Sequence, residues 1–170
     1  MPPKRKYIRK CPKSSKAIGL LGECFVTEIL TDALDCEVLP YGGNVKSFDL
    51  LCVMYEKSSA YAFMVQVKTQ YKGRYTKDKK SINTKVPDEK LEWLINLPLP
   101  TYIASVDYDK DIMYLAPAFD KSVKYKVVPI KYQFMRKNYP HSVILKDEVK
   151  KYWDSIKIKV HKSSFKSIFS

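Results

Sequence analysis

Histidine is almost missing from this chain of 170 residues: there are two, His141 and His161, and neither lies near another candidate ligand in sequence. That scarcity argues against a histidine-based nuclease, a Ser-His-Asp triad and a histidine-rich metal site. Long apolar runs are missing too, and none approaches the roughly 20 residues that span a bilayer. The basic N-terminus lacks the apolar core of a secretion signal. The four cysteines, Cys11, Cys24, Cys36 and Cys52, have no paired spacing. This argues against zinc or disulfides and for a reducing compartment, the cytoplasm, or the nucleus in a eukaryotic or viral-host setting. Cys24 and Cys52 sit inside apolar segments and are expected to pack as small hydrophobes. Acids are outnumbered, 18 Asp and Glu against 31 Lys and Arg, for a formal charge of +13.

That surplus implies a polyanionic partner, with nucleic acid ahead of an anionic membrane surface. An apolar fraction of 45% excludes a disordered chain, and the length suits one domain with a real core. Residues 1–15 form a basic arm containing Lys4, Arg5 and Lys6, with prolines that discourage a helix and no acid. It reads as a solvated tail that can touch phosphates when DNA is bound. The core is expected over residues 16–120, with residues 121–170 a basic extension packed on the same domain.

From Ser14 or Ser15 a helix is expected to run to about Leu34. Ile18, Leu21, Phe25 and Ile29 make one apolar stripe, and Leu20, Thr27, Leu30 and Leu34 a second, roughly opposite, so the helix reads as largely buried. Glu23 falls in the second set, beside Gly22, which allows close approach of another backbone. Residues 47–55 and 60–69 read as two strands joined by a four-residue turn, an antiparallel hairpin. Residues 71–85 carry Lys72, Arg74, Lys77, Lys79 and Lys80 with Tyr71 and Tyr75 interleaved. They read either as a solvated loop or as a mobile flap along a phosphate backbone. A helix begins near Pro87, and strands follow at 101–106 and 112–115. Asp107, Asp109 and Asp111 lack the glycine and distal Glu of a calcium loop and are taken as turn residues. Residues 122–130 alternate as an edge strand, and Asp147 is expected to cap a short helix through Trp153.

The chemistry concentrates in the hairpin. Residues 61–69 read Tyr-Ala-Phe-Met-Val-Gln-Val-Lys-Thr. Side chains two apart on a strand share a face, so Gln66 and Lys68 point with Met64, away from Phe63, Val65 and Val67. A buried strand has no structural use for them, nor for Asp49 on its neighbour. Hydrolysis of a phosphodiester needs oxygen ligands for a hard cation and a lysine that orients or deprotonates water or stabilises the pentavalent state. Asp49, Gln66, the Val67 carbonyl and Lys68 would supply these parts, with Glu23 approaching from the helix. The structural alternative makes Asp49 a turn-end residue and Lys68 a snorkelling one.

The order Gly22-Glu23 on a helix, Asp49 on a strand, then Gln66-Val67-Lys68-Thr69 on the next resembles the PD-(D/E)XK nuclease superfamily, which includes restriction endonucleases and Holliday-junction resolvases. It is closest to the branch with Gln in place of the second acid. Residues 96–107, from Asn96 to Asp107, also look like a bacterial domain family of that branch. The resemblance implies a restriction-endonuclease-like α/β/α core around a mixed sheet, an endonuclease dependent on Mg²⁺ or Mn²⁺, and DNA as substrate, with a homodimer by analogy. Within it Asp49 would be the metal ligand, Gln66 a weaker ligand, Lys68 the water-orienting residue and Glu23 an auxiliary ligand. Ser47 and Phe48 stand where the family often has glycine, and a neutral Gln66 leaves the site one charge short. Two other classes fit the chain: a catalytically inactive nuclease fold that binds DNA, and a protein-binding accessory of a defence or mobile-element system.

Overall fold

The computed structural model describes residues 14–41, 48–118, 127–134 and 140–156. The elements run α1 (Ser15–Leu34), β1 (Cys36–Pro40), β2 (Leu50–Glu56), β3 (Ser59–Gln70), β4 (Ser81–Asn83), α2 (Asp88–Asn96), β5 (Thr101–Asp107), β6 (Ile112–Pro117), β7 (Val127–Pro129), β8 (Gln133–Phe134) and α3 (Pro140–Ser155). Six strands form one mixed sheet in the order β1-β2-β3-β5-β6-β8. Its pairs are antiparallel except β3 with β5, which are parallel and joined through α2. β4 and β7 form a small antiparallel sheet of their own.

The period-2 pattern of β3 sorts its side chains to two cores. Phe63, Val65 and Val67 pack with α1 (Phe25, Val26, Ile29, Leu30) and α3 (Leu145, Val149) on one face. Met64 lies on the other face with Leu94 of α2, Ile82 of β4 and Val128 of β7. The chain is thus a single α/β domain with helices on both sides of a covered sheet, and among its described residues no helix is long and apolar enough to cross a membrane. β8 and α3, both from the 121–170 segment, pack on this same domain.

Ser14 caps α1, its Oγ accepting from the Ala17 N–H at 3.1 Å. Asp35 ends it in the left-handed region, where a short polar side chain is tolerated. The buried positions, Gly22, Phe25, Val26, Ile29, Leu30 and Leu34, form one stripe rather than two. Leu20 is 61% exposed, so the helix is amphipathic and not buried all round. Cys24 is exposed on the solvent side, against the expectation that it packs as a hydrophobe, whereas Cys52 is buried in β2.

Four other expectations are corrected. The β2–β3 turn is tighter than four residues: Glu56 pairs with Ser59 around Lys57, which takes a positive φ of 53°. Residues 71–85, expected as a loop or flap, carry regular structure: β4 and a bridge between Tyr75 and Ile82 fold them into a hairpin. Asp107 is not a turn residue but a carboxylate 1% exposed at the end of β5, accepting from the Tyr75 hydroxyl at 2.7 Å. Asp147 lies in the middle of α3, which starts seven residues earlier at Pro140; proline suits a first turn because its missing N–H costs nothing there. Residues 122–126, the first part of the expected edge strand, lie outside the described residues; Val127–Pro129 pairs with β4.

Candidate active site

The site forms where β2 stops and β3 continues. Pairing between them ends at Leu50 opposite Val65, and the Asp49 N–H still donates to the Val65 carbonyl at 3.0 Å. One pleat further, the Val67 N–H points to the same edge and finds no strand there. The Asp49 carboxylate takes that place: its Oδ2 accepts from the Val67 N–H at 2.6 Å and from the Gln66 side-chain amide. Gln66 Nε2 also donates to the Val67 carbonyl at 3.2 Å. Gln66 is 1% exposed, and its Oε1 is buried without a hydrogen-bond partner.

Glu23 arrives through its neighbour. Gly22 is buried against β3 so tightly that a Cβ there would lie 1.6 Å from Thr69 Oγ1 and 2.6 Å from Thr69 Cβ. The missing side chain lets α1 close on Thr69, one residue past Lys68, and this sets Glu23 beside the strand end. The close approach expected at Gly22 is real, but it is to a side chain rather than to backbone.

The charges act on one another. Burial, and then the Asp49 charge, hold the Glu23 carboxyl above the ordinary carboxylate range, with Lys68 opposing. Burial raises Asp49 as well, against the Val67 N–H, Lys68 and Lys90. Burial lowers the Lys68 ammonium, Lys90 lowers it further, and Asp49 and Glu23 oppose. Glu23, Asp49 and Lys68 therefore share one electrostatic neighbourhood, joined by Lys90 from α2. Among the described residues Glu23 and Lys68 nevertheless close no hydrogen bond or ion pair. A cluster kept for stability is expected to neutralise its buried charges in direct pairs. Here no such pair forms among Glu23, Asp49 and Lys68.

The unsatisfied buried atoms gather along the same strand ends, with Thr69 on the α1 face against Gly22 and Gln66 on the other face. Among the described residues, the buried side-chain polar atoms without a partner are Gln66 Oε1, Thr69 Oγ1, Ser105 Oγ and Asp107 Oδ1. All lie on β3 and β5, in the register run from Gln66 opposite Ile103 to Gln70 opposite Asp107. The carboxyl ends of parallel strands are where open α/β sheets hold ligands. Two carboxylates, the Gln66 carbonyl and the Val67 carbonyl are an oxygen set suited to Mg²⁺ or Mn²⁺, which keeps several waters. The orphaned Gln66 Oε1 is a donor the fold leaves without other use. No group of three or more His, Cys, Asp or Glu side chains among the described residues is placed to hold a metal ion, so the amide and the backbone would have to complete the set.

Of the basic residues expected to meet nucleic acid, Lys72 and Arg74 line a cleft of about 680 Å³ together with Lys68 and Lys85. Lys77, Lys79 and Lys80 are exposed towards the hairpin tip, with Lys79 on a separate pocket beside Tyr75 and Lys110. Lys4, Arg5 and Lys6 lie outside the described residues. Sequence reasoning missed Lys90, Ser105 and the Tyr75–Asp107 bond. Lys90 carries no local signal, being one lysine in an amphipathic helix. Ser105, in contrast, interrupts an apolar strand and is the kind of residue that could have been found. Comparison with protein-family models, with curated proteins and with solved structures finds no match for this chain.

Proposed function

We propose that this chain is a metal-dependent DNA endonuclease whose α/β domain is of the restriction-endonuclease-like, PD-(D/E)XK kind. One observation carries the reading: Glu23, Asp49, Gln66 and Lys68, from three separate segments, share one neighbourhood in which the charges stay unpaired and a buried amide oxygen is unused. The order of elements supports it: a helix bearing the Glu, a three-stranded antiparallel run bearing Asp and Gln-x-Lys, then a helix crossing to a parallel strand.

Asp49, Glu23, Gln66 Oε1 and the Val67 carbonyl would hold Mg²⁺ or Mn²⁺. When bound, the cation supplies charge neutralisation on phosphoryl oxygens and a more acidic water. The chain's own contribution is positional. The Val67 N–H and the Gln66 amide fix the Asp49 carboxylate from one side. Lys68, its pKa lowered by burial and by Lys90, orients a water as the ammonium or, once deprotonated to the amine, takes its proton. The surrounding lysines draw the phosphodiester in.

A second reading, a nuclease fold that binds DNA without cutting it, is favoured by one detail. Asp49 Oδ2 already caps the end of β3, a structural task that needs no metal. The test is incubation with supercoiled plasmid, linear duplex, single strand and a four-way junction, with Mg²⁺ or Mn²⁺ and with chelator. The nuclease reading expects chelator-sensitive cleavage of at least one substrate. Binding without any metal-dependent nicking across the panel would transfer the case to the inactive binder.

A further inference from the structure

We infer that the cleft beside Lys68 is a groove for the phosphate backbone of a single nucleic-acid strand, on one flank of the candidate active site. The inference deepens the nuclease reading and rests on it for which bond is cut. The binding it describes stands without cleavage.

The cleft carries Lys68, Lys72, Arg74 and Lys85 and, among the described residues that line it, no carboxylate. Its opposite wall includes Ser15 and Ile18, the first turn of α1. Ser14 Oγ takes the Ala17 N–H, but a helix of 20 residues keeps partial positive charge at that end, and α1 has no acid in its first turn to neutralise it. Side-chain cations on one wall and a helix N-terminus on the other suit a line of phosphates. At about 680 Å³ the space is within the range of about 300–1,000 Å³ that encloses a small ligand. That is room for a short run of one strand's backbone.

Two further observations give the groove direction and rigidity. Lys68 belongs both to the cleft and to the charge neighbourhood of Glu23 and Asp49, so the cleft meets the acid site at that residue. The wall that bears Lys72, Arg74 and Lys85 is pinned from below. Tyr75 donates to the buried Asp107, the Arg74 N–H donates to Gln70 Oε1 at 3.0 Å, and the Asn83 N–H donates to the Arg74 carbonyl at 2.7 Å. Cations held in place lose little freedom on binding. The hairpin therefore divides: Lys72, Arg74 and Lys85 serve the groove, whereas Lys77, Lys79 and Lys80 sit away from it.

The experiment compares K72A/R74A/K85A with K77A/K79A/K80A in the full chain. A fluorescein-labelled oligothymidylate of about 12 nucleotides and a duplex of mixed sequence are titrated in EDTA over a range of salt. All six residues are exposed, and thermal melts check that both variants stay folded. The groove predicts that the first variant lowers the slope of log K against log salt by about 2, three contacts at roughly 0.7 each, with at least a tenfold loss for the single strand. The second variant should lose less than half as much. Equal losses in the two variants, a loss confined to the second, or a first variant that weakens only duplex binding would overturn the inference. Binding as expected by a chain that never cuts would leave the groove standing and remove the nuclease reading.

Discussion

Gly22→Ala tests how the fold delivers Glu23 to its site. The added Cβ would meet Thr69 Oγ1 at 1.6 Å, Cβ at 2.6 Å and Cγ2 at 2.7 Å. Rotating Thr69 cannot clear all three, because its Cβ does not move with χ1. Restoring an ordinary carbon–carbon separation of about 3.5 Å requires α1 and β3 to part by about 1 Å. Overpacking of this kind costs about 1–3 kcal/mol. Ala is about 1 kcal/mol better than Gly inside a helix, which offsets part of that. The net expectation is a destabilisation of about 0–2 kcal/mol, or a Tm lower by up to about 8 °C for a domain of this size. The functional loss should be larger than the stability loss, because a misplacement of about 1 Å in a catalytic group can cost on the order of 100-fold in rate. The assay is a thermal melt beside single-turnover cleavage at a temperature where both proteins are folded. Thr69→Ala in the Gly22→Ala background should recover part of the Tm, since it removes two of the three clashing atoms, and the double-mutant cycle reports the coupling. A Gly22→Ala protein that melts at or above the parent and cuts at the parent rate would refute the close-approach argument.

Glu23→Gln should raise stability at neutral pH. A carboxyl whose folded pKa is raised contributes stability that is present below its unfolded value, near 4, and lost as pH rises through the folded value. Removing the charge therefore helps at pH 7 by on the order of half a kcal/mol, about 1–2 °C, since solvent screens a half-buried group; the gain should vanish towards pH 3 in melts of both proteins. Lys90→Ala should let the Lys68 pKa rise, because Lys90 is the second cause of its depression after burial. The rising limb of the cleavage pH–rate profile then moves to higher pH, and an unmoved limb would separate Lys90 from the chemistry. Tyr75→Phe removes the 2.7 Å hydrogen bond to Asp107 and leaves that buried carboxylate with Lys110 at 3.2 Å. A loss of about 1.5–3 kcal/mol is expected in denaturant melts, with faster amide exchange across the 71–85 hairpin.

What could be read from the chain was what local rules determine. Alternation alone sent Gln66 and Lys68 to one face of β3 and Val65 and Val67 to the other, because the strand period is fixed. The helix over residues 15–34 and the Asp49 position at the start of β2 followed from a cap and an apolar run. The misreadings came from tertiary choices. Leu20 looks as apolar as Leu30, and only the placement of α1 on the sheet exposes one and buries the other. Asp107 follows an apolar strand and precedes two further aspartates, so its burial depends on a tyrosine 32 residues earlier. Lys90 enters the site because α2 is the crossover between two parallel strands, a fact of topology with no mark in its own neighbourhood. α3 was misplaced because Asp147 is a good cap in isolation, whereas Leu145 and Val149 hold the whole helix from Pro140 onwards against the core.

The most direct test of the central claim is calorimetric titration of Mn²⁺ into the parent chain and into Asp49→Asn, which keeps an acceptor for the Val67 N–H while removing the charge. The account predicts one site per chain in the parent, lost in Asp49→Asn and weakened in Glu23→Gln, with melts showing all three proteins folded. Equal Mn²⁺ binding by the parent and Asp49→Asn, or no binding by the parent, would contradict it.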